Sequence, residues 1–260
     1  MSMQPWEMFD DTSAPYDDHP WLRQSIAMVR PYLEEFLVSR HPLRAGPVCP
    51  FMPSALRAHQ VFFAVGDIER GSRFESRRTM EIARKVWAGE KGAFRYSALV
   101  ILYPMSSSSE FVSEVQRRAK VAAIRESLMV GALFARNNAE SVHGGNYFPL
   151  RTPVPTVVYR DMVPFDLLFL NEPRFSARRR AEFLRRYIEQ YENAKYGWER
   201  EGIESARQQL QECEKLIERG EKVKAVVLAL GLVAGAAIAA GAVPRGSGVK
   251  WRRSQVRRTS

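Results

Sequence analysis

The run YSALVILY, residues 96–103, decides the fold. Ala98, Leu99, Val100, Ile101 and Leu102 are apolar without alternation, so both faces of the segment must be covered, as in a central strand. Upstream, QVFFAV (60–65) is a second short run of β-formers. Between the two, FESRRTMEIARKVWA (74–88) gathers Met80, Ile82, Ala83, Val86 and Trp87 on one side of a helix that Gly89 ends. Downstream, Ser107 and Glu110 stand in the capping-box relation, at the start of a helix expected to run through Glu126. Residues 128–134 follow as a strand or a helix end. VPTVVY (154–159) reads as a strand, on an edge because of Pro155, and MVPFDLLFL (162–170) as a short helix. This alternation predicts an α/β (α+β) domain over residues 21–172, with a small mixed sheet flanked by helices.

The flanking segments differ in character. Residues 1–20 carry Pro5, Pro15 and Pro20 among acidic side chains and read as an irregular acidic lead. WLRQSIAMVRPYLEEFLVSR (21–40) has helical spacing, with Pro31 as a kink or break. HPLRAGPVCPF (41–51) must be a shaped loop, and ARNNAESVHGGNYFPLRTP (135–153) is a second, longer one. Residues 173–224 alternate in charge sign without Pro beyond 173 and form a helical stalk or hairpin, with a broken heptad. Residues 225–243, AVVLALGLVAGAAIAAGAV, are a candidate transmembrane helix with a Gly231–Gly235 close-packing pattern. At about 28 Å as a helix the segment nearly matches a ~30 Å hydrocarbon core. Eleven of its nineteen residues are Ala or Gly, so a helix buried in a soluble assembly is the alternative.

Composition narrows the class. Of 260 residues, 45% are hydrophobic and 26% charged, which excludes wholesale disorder. Two cysteines cannot build a disulfide scaffold and suit a reducing compartment. With no secretory signal visible, the domain is expected to be cytoplasmic and membrane-associated through 225–243. The net charge is +10, and six of its cations lie after residue 243, so the globular part is only mildly basic. The basic tail, 244–260, holds one stacking ring, Trp251, which makes nucleic acid an unlikely partner. A homo-oligomer through 175–243 is an open alternative.

No phosphate-cradling loop, CxxC, HExxH or GxSxG occurs. Two loops could still carry chemistry. In the first, Cys49 and Phe51 follow His41 and Arg44, and a cation near the thiol would favour a thiolate; a small residue in a tight turn is the alternative. In the second, His143 precedes Gly144 and Gly145, which would let a planar ligand approach the backbone, so that His143 could ligate a metal or haem, act as a base, or simply be exposed. Arg151 and Arg160 flank the VPTVVY strand and Asp166 follows; they could bind an anionic group or pair across a loop.

HPLRAGPVCPF, ESLMVG (126–131) and PLRTPVPTVVYRDMVPFDLLFL (149–170) resemble the motifs of an uncharacterised actinobacterial domain family, over about residues 20–172. That family is in turn distantly similar to YqcI/YcgG-like proteins, which include haem-dependent enzymes that hydroxylate a guanidino nitrogen. The resemblance implies a haem-binding oxidoreductase, an oxygenase acting on a small guanidino or amino substrate. His143 is then the metal ligand, Cys49 a pocket residue, and Arg151 and Arg160 partners of propionates or substrate. One departure matters: where the family has His-Pro after the glycine matching Gly131, this chain has Phe134 and Ala135. The alternative expectation is a non-catalytic sensor or interaction module that has lost the iron ligand.

Overall fold

A computed structural model describes residues 4–88 and 96–239, the side chains of Asp11, Trp198 and 224–239 excepted. Five strands form one mixed sheet: β1 (Trp6–Glu7), β2 (Val61–Val65), β3 (Ala98–Leu102), β4 (Leu128–Leu133) and β5 (Thr156–Asp161), in the spatial order β1-β2-β3-β5-β4. β2 and β3 run parallel, with Phe63 beside Val100, and β5 lies antiparallel between β3 and β4. β3 is thus central, and all five of its residues are buried.

The alternation of side chains divides the interior in two. Val61, Phe63, Val65, Ala98, Val100 and Leu102 face a core closed by α1 (Leu22–Pro31), a π-helical turn (Tyr32–Phe36) and α2 (Met52–Arg57). Leu99, Ile101, Val157 and Tyr159 face a second core closed by α3 (Gly71–Trp87) and α4 (Ser109–Arg125). A third cluster joins α4 and β4 to the C-terminal helices: Phe183, Leu184 and Tyr187 of α5 (Ala177–Tyr191) pack with Ile124, Met129 and Ala206. α6 (Gly197–Ala239) runs antiparallel to α5, because Arg185 pairs with Glu214 at 2.8 Å and Arg178, one helix end away, with Glu221.

Several expectations are corrected. The lead is not wholly irregular, because Trp6 and Glu7 pair with Phe63 and Phe62 and supply the edge strand. Pro31 does not break its helix: the turn widens, and Leu37 N–H donates to the Tyr32 carbonyl, five residues back, at 3.0 Å. α4 is capped by Ser108, whose Oγ accepts from Phe111 N–H at 3.1 Å, one residue beyond the expected cap. β5 is interior rather than an edge strand, since Pro155 precedes its first ladder residue and still offers its carbonyl to Tyr103 N–H at 3.1 Å.

The candidate transmembrane helix is also overturned: no helix among the described residues is long and apolar enough to cross a membrane. Residues 225–239 continue α6 directly from the preceding residues. The helix before them is charged, and no break separates an apolar span from the polar stretch of α6. Residues 240–243 of the expected span and the basic tail, 244–260, lie outside the described residues.

Candidate functional site

The first motif loop is held by its own backbone and by Arg44. His41 N–H donates to the Gly46 carbonyl at 2.9 Å, Val48 N–H to Ser39, and Cys49 N–H to Leu37, each at 2.8 Å. The turn needs Gly46 at a φ of +89°, a conformation costly for any side chain. Arg44 reaches back over it, donating to the carbonyls of Ala45 at 2.8 Å, Pro47 at 2.7 Å and Val48 at 3.1 Å. Three of its hydrogen bonds thus shape the loop.

The second loop docks on the first across about a hundred residues of sequence. Gly144, Gly145 and Asn146 take successive positive φ values of 72°, 79° and 52°, folding the loop back so that Ser141 N–H meets the Tyr147 carbonyl at 2.7 Å. A Cβ on Gly145 would lie 2.7 Å from Leu43 Cδ1, so glycine lets the two loops touch. His41 is buried at the junction, with Tyr147 and His143 edge-on at ring distances of 4.9 and 5.4 Å. Its Nδ1 accepts from Leu43 N–H at 3.0 Å, which requires the neutral ring on that side. Burial, then the charge of Arg44 and the nearness of His143, hold the His41 pKa below its ordinary value.

The aromatic contacts continue from Tyr147 to Phe36, at 6.3 Å, and from Phe36 to Tyr32, stacked at 5.3 Å. Here the widened turn opens a cleft of about 510 Å³, lined by Met28, Tyr32, Glu35, Phe36, Arg151 and their proline neighbours. Tyr32 is fixed by its hydroxyl, which donates to the Pro149 carbonyl at 2.6 Å. Arg151 is exposed; it donates through Nε to the Asn137 carbonyl at 2.9 Å and lies over the Phe148 ring at 4.0 Å. Glu35 is exposed on the same cleft and, among the described residues, makes no ion pair.

Arg160 has a different role. It closes a two-pronged ion pair with the buried Asp166, at 2.7 and 2.6 Å, and donates to the Asp161 carbonyl at 2.9 Å. Burial alone would lower its pKa; the Asp166 carboxylate outweighs that and leaves it raised. Phe51 lies 5.9 Å beneath the guanidinium, and the half-buried Cys49 packs on the same core as Phe51. The alternatives for Arg151 and Arg160 thus separate: Arg160 pairs across a loop, and Arg151 is exposed with no ion pair among the described residues.

A family model described as a domain of unknown function, DUF6875, matches residues 26–198. The chain belongs to the DUF6875 family. No curated protein and no solved structure matches it. The DUF6875 match extends past the motifs through α5, and it contains every residue of the two loops and of the cleft.

The residues expected to hold haem lie apart among the described residues of the DUF6875 domain. His143 is exposed, and the cleft of Tyr32 and Arg151 is lined neither by it nor by His41. Phe134, where the resemblance would have the ligand, packs on the α3–α4 core, whereas Tyr147 beside His143 packs on the core across the sheet. A ligand at 134 and one at 143 would therefore not converge. Arg160, expected to serve a propionate, is occupied by Asp166. Among the described residues no group of three or more His, Cys, Asp or Glu could hold a metal ion. Among the described residues, His143, Cys49, Arg151 and Arg160 are thus not gathered around one cavity.

Sequence reasoning missed Tyr32, Glu35 and Phe36 as cleft residues. The available signal was Pro31 inside a helical pattern, a place where the turn must change. It also missed the buried Glu75, which accepts from Arg78 Nε at 2.6 Å, Tyr103 hydroxyl at 2.9 Å and Asp67 N–H at 3.1 Å. That cluster ties α3 to the end of β2, and every carboxylate contact stays within the fold.

Proposed function

We propose that this DUF6875 domain is a binding module for a small guanidino- or amino-bearing carboxylic acid, held in the cleft of Tyr32, Glu35, Phe36 and Arg151. The observation that supports it is an exposed guanidinium and an exposed carboxylate lining one cleft with an aromatic floor. Arg151 keeps Nε on the Asn137 carbonyl and has its remaining donors for a ligand carboxylate. Glu35 supplies the opposite charge for a guanidinium or ammonium. The Phe36 ring offers a face to a planar cation. The distant similarity to YqcI/YcgG-like proteins, some of which act on guanidino groups, points to the same ligand class. The cleft is lined by no His and no Cys, so binding rather than bond-making chemistry is the reading the residues favour.

The test is isothermal titration of the full chain with L-arginine, agmatine and L-citrulline. Agmatine lacks the carboxylate and citrulline the guanidinium charge. Arginine should bind saturably, and each analogue more weakly by at least about tenfold, the worth of one charge-assisted contact. Absence of saturable heat with all three would end the proposal.

A further inference from the structure

We propose that a second cleft, beside the first motif loop, is a binding site for a phosphate monoester. Its volume is about 570 Å³, and it is lined by Arg40 and Arg57, by Ser54, and by Pro47, Pro50 and Pro53. Both arginines are exposed, and Arg57 donates to Ser54 Oγ at 3.2 Å, which aims hydroxyl and guanidinium at the same region.

Two observations single this cleft out. First, residues 36–66 contain no Asp and no Glu, while they hold Arg40, Arg44 and Arg57. Second, among the described residues none of these three makes an ion pair, although many arginines elsewhere do, among them Arg78, Arg84, Arg117, Arg125 and Arg160. Arg44 donates to three loop carbonyls, which neutralise none of its charge beside the cleft. The result, among the described residues, is a group of guanidinium charges that no carboxylate pairs with directly. It is matched best by a dianion, and guanidinium forks suit the oxygens of a phosphate. Pro47, Pro50, Pro53 and Val38 add apolar lining, so the ester group, rather than a bare ion, would complete the fit. The site is separate from the arginine cleft and does not depend on it.

The test is calorimetric titration of the full chain with phenyl phosphate, inorganic phosphate and benzoate at low salt. Phenyl phosphate should bind most tightly, with an affinity that falls as salt is raised and is unchanged by saturating L-arginine. Arg40→Gln/Arg57→Gln should weaken it by at least about tenfold, with the melting midpoint by circular dichroism kept near wild type because neither side chain is buried. Equal binding of benzoate, an unchanged affinity in the double variant, or displacement by L-arginine would each overturn the proposal. Should the double variant lose its fold, Arg57→Lys, which keeps the charge but not the fork, decides the matter: weakened binding supports the site and unchanged binding opposes it.

Discussion

Asp166→Asn removes one charge from the ion pair that anchors the second motif. The carboxylate is 2% exposed and its partner Arg160 is 25% exposed. Asp166 Oδ2 accepts from Arg160 at 2.7 Å and from Val163 N–H at 2.7 Å, and Oδ1 accepts from Arg160 at 2.6 Å. An asparagine keeps one acceptor but turns an amide N–H₂ toward a guanidinium, which leaves a sheltered cation without its counter-charge. Breaking a buried pair costs about 3–5 kcal/mol, and the quarter exposure of Arg160 puts this one near ~3 kcal/mol. At roughly 2–4 °C per kcal/mol for a chain of this size, the melting midpoint should fall by about 6–12 °C. Urea unfolding followed by circular dichroism gives the free energy, and a thermal scan gives the midpoint. Arg160→Met/Asp166→Leu, which leaves neither charge behind, should recover most of the loss. A cost below about 1 kcal/mol for Asp166→Asn would show a solvated surface pair and refute the reasoning.

The His41 contact should make stability sensitive to acid. Its pKa is held below the ordinary 6.5, so the neutral-ring contribution is complete above that pH and is lost as pH falls below it. The wild-type midpoint should therefore drop more between neutrality and about pH 5 than that of His41→Gln; parallel curves would contradict this. Gly66→Ala would set a Cβ 2.1 Å from Tyr103 Cε1, on a fully buried ring whose hydroxyl is held by Glu75. A cost of about 1–3 kcal/mol in urea unfolding is expected, and a neutral outcome would mean that the ring can move. Hemin titrated into the full chain should leave the spectrum of free hemin, whereas a stoichiometric Soret band abolished by His143→Ala would establish the iron reading instead.

The central sheet was legible because its signal is local. YSALVILY is apolar without alternation, and the helix pattern of 74–88 sits where a parallel crossover requires one. The edge strand was not legible, because two residues, Trp6 and Glu7, have no period to detect. The place of β5 was misread because Pro155 carries an edge signal, yet it stands one residue outside the ladder. Of the candidate site residues, His41 and His143 do meet, but only through loop docking across about a hundred positions, which no spacing rule reports. Arg151 and Arg160 look alike in sequence. What separates them is a neighbour six residues on, the buried Asp166, which takes one and leaves the other. The packing shows that Arg44 in the first loop and Arg160 on β5 build the scaffold.

The central claim is that one cleft reads both ends of a guanidino acid, Arg151 the carboxylate and Glu35 the cation. The most direct measurement is the ratio of arginine to agmatine affinity, and of arginine to citrulline affinity, in wild type, Arg151→Gln and Glu35→Gln. The account predicts that Arg151→Gln abolishes only the first preference and Glu35→Gln only the second. Both preferences surviving in both variants would contradict it.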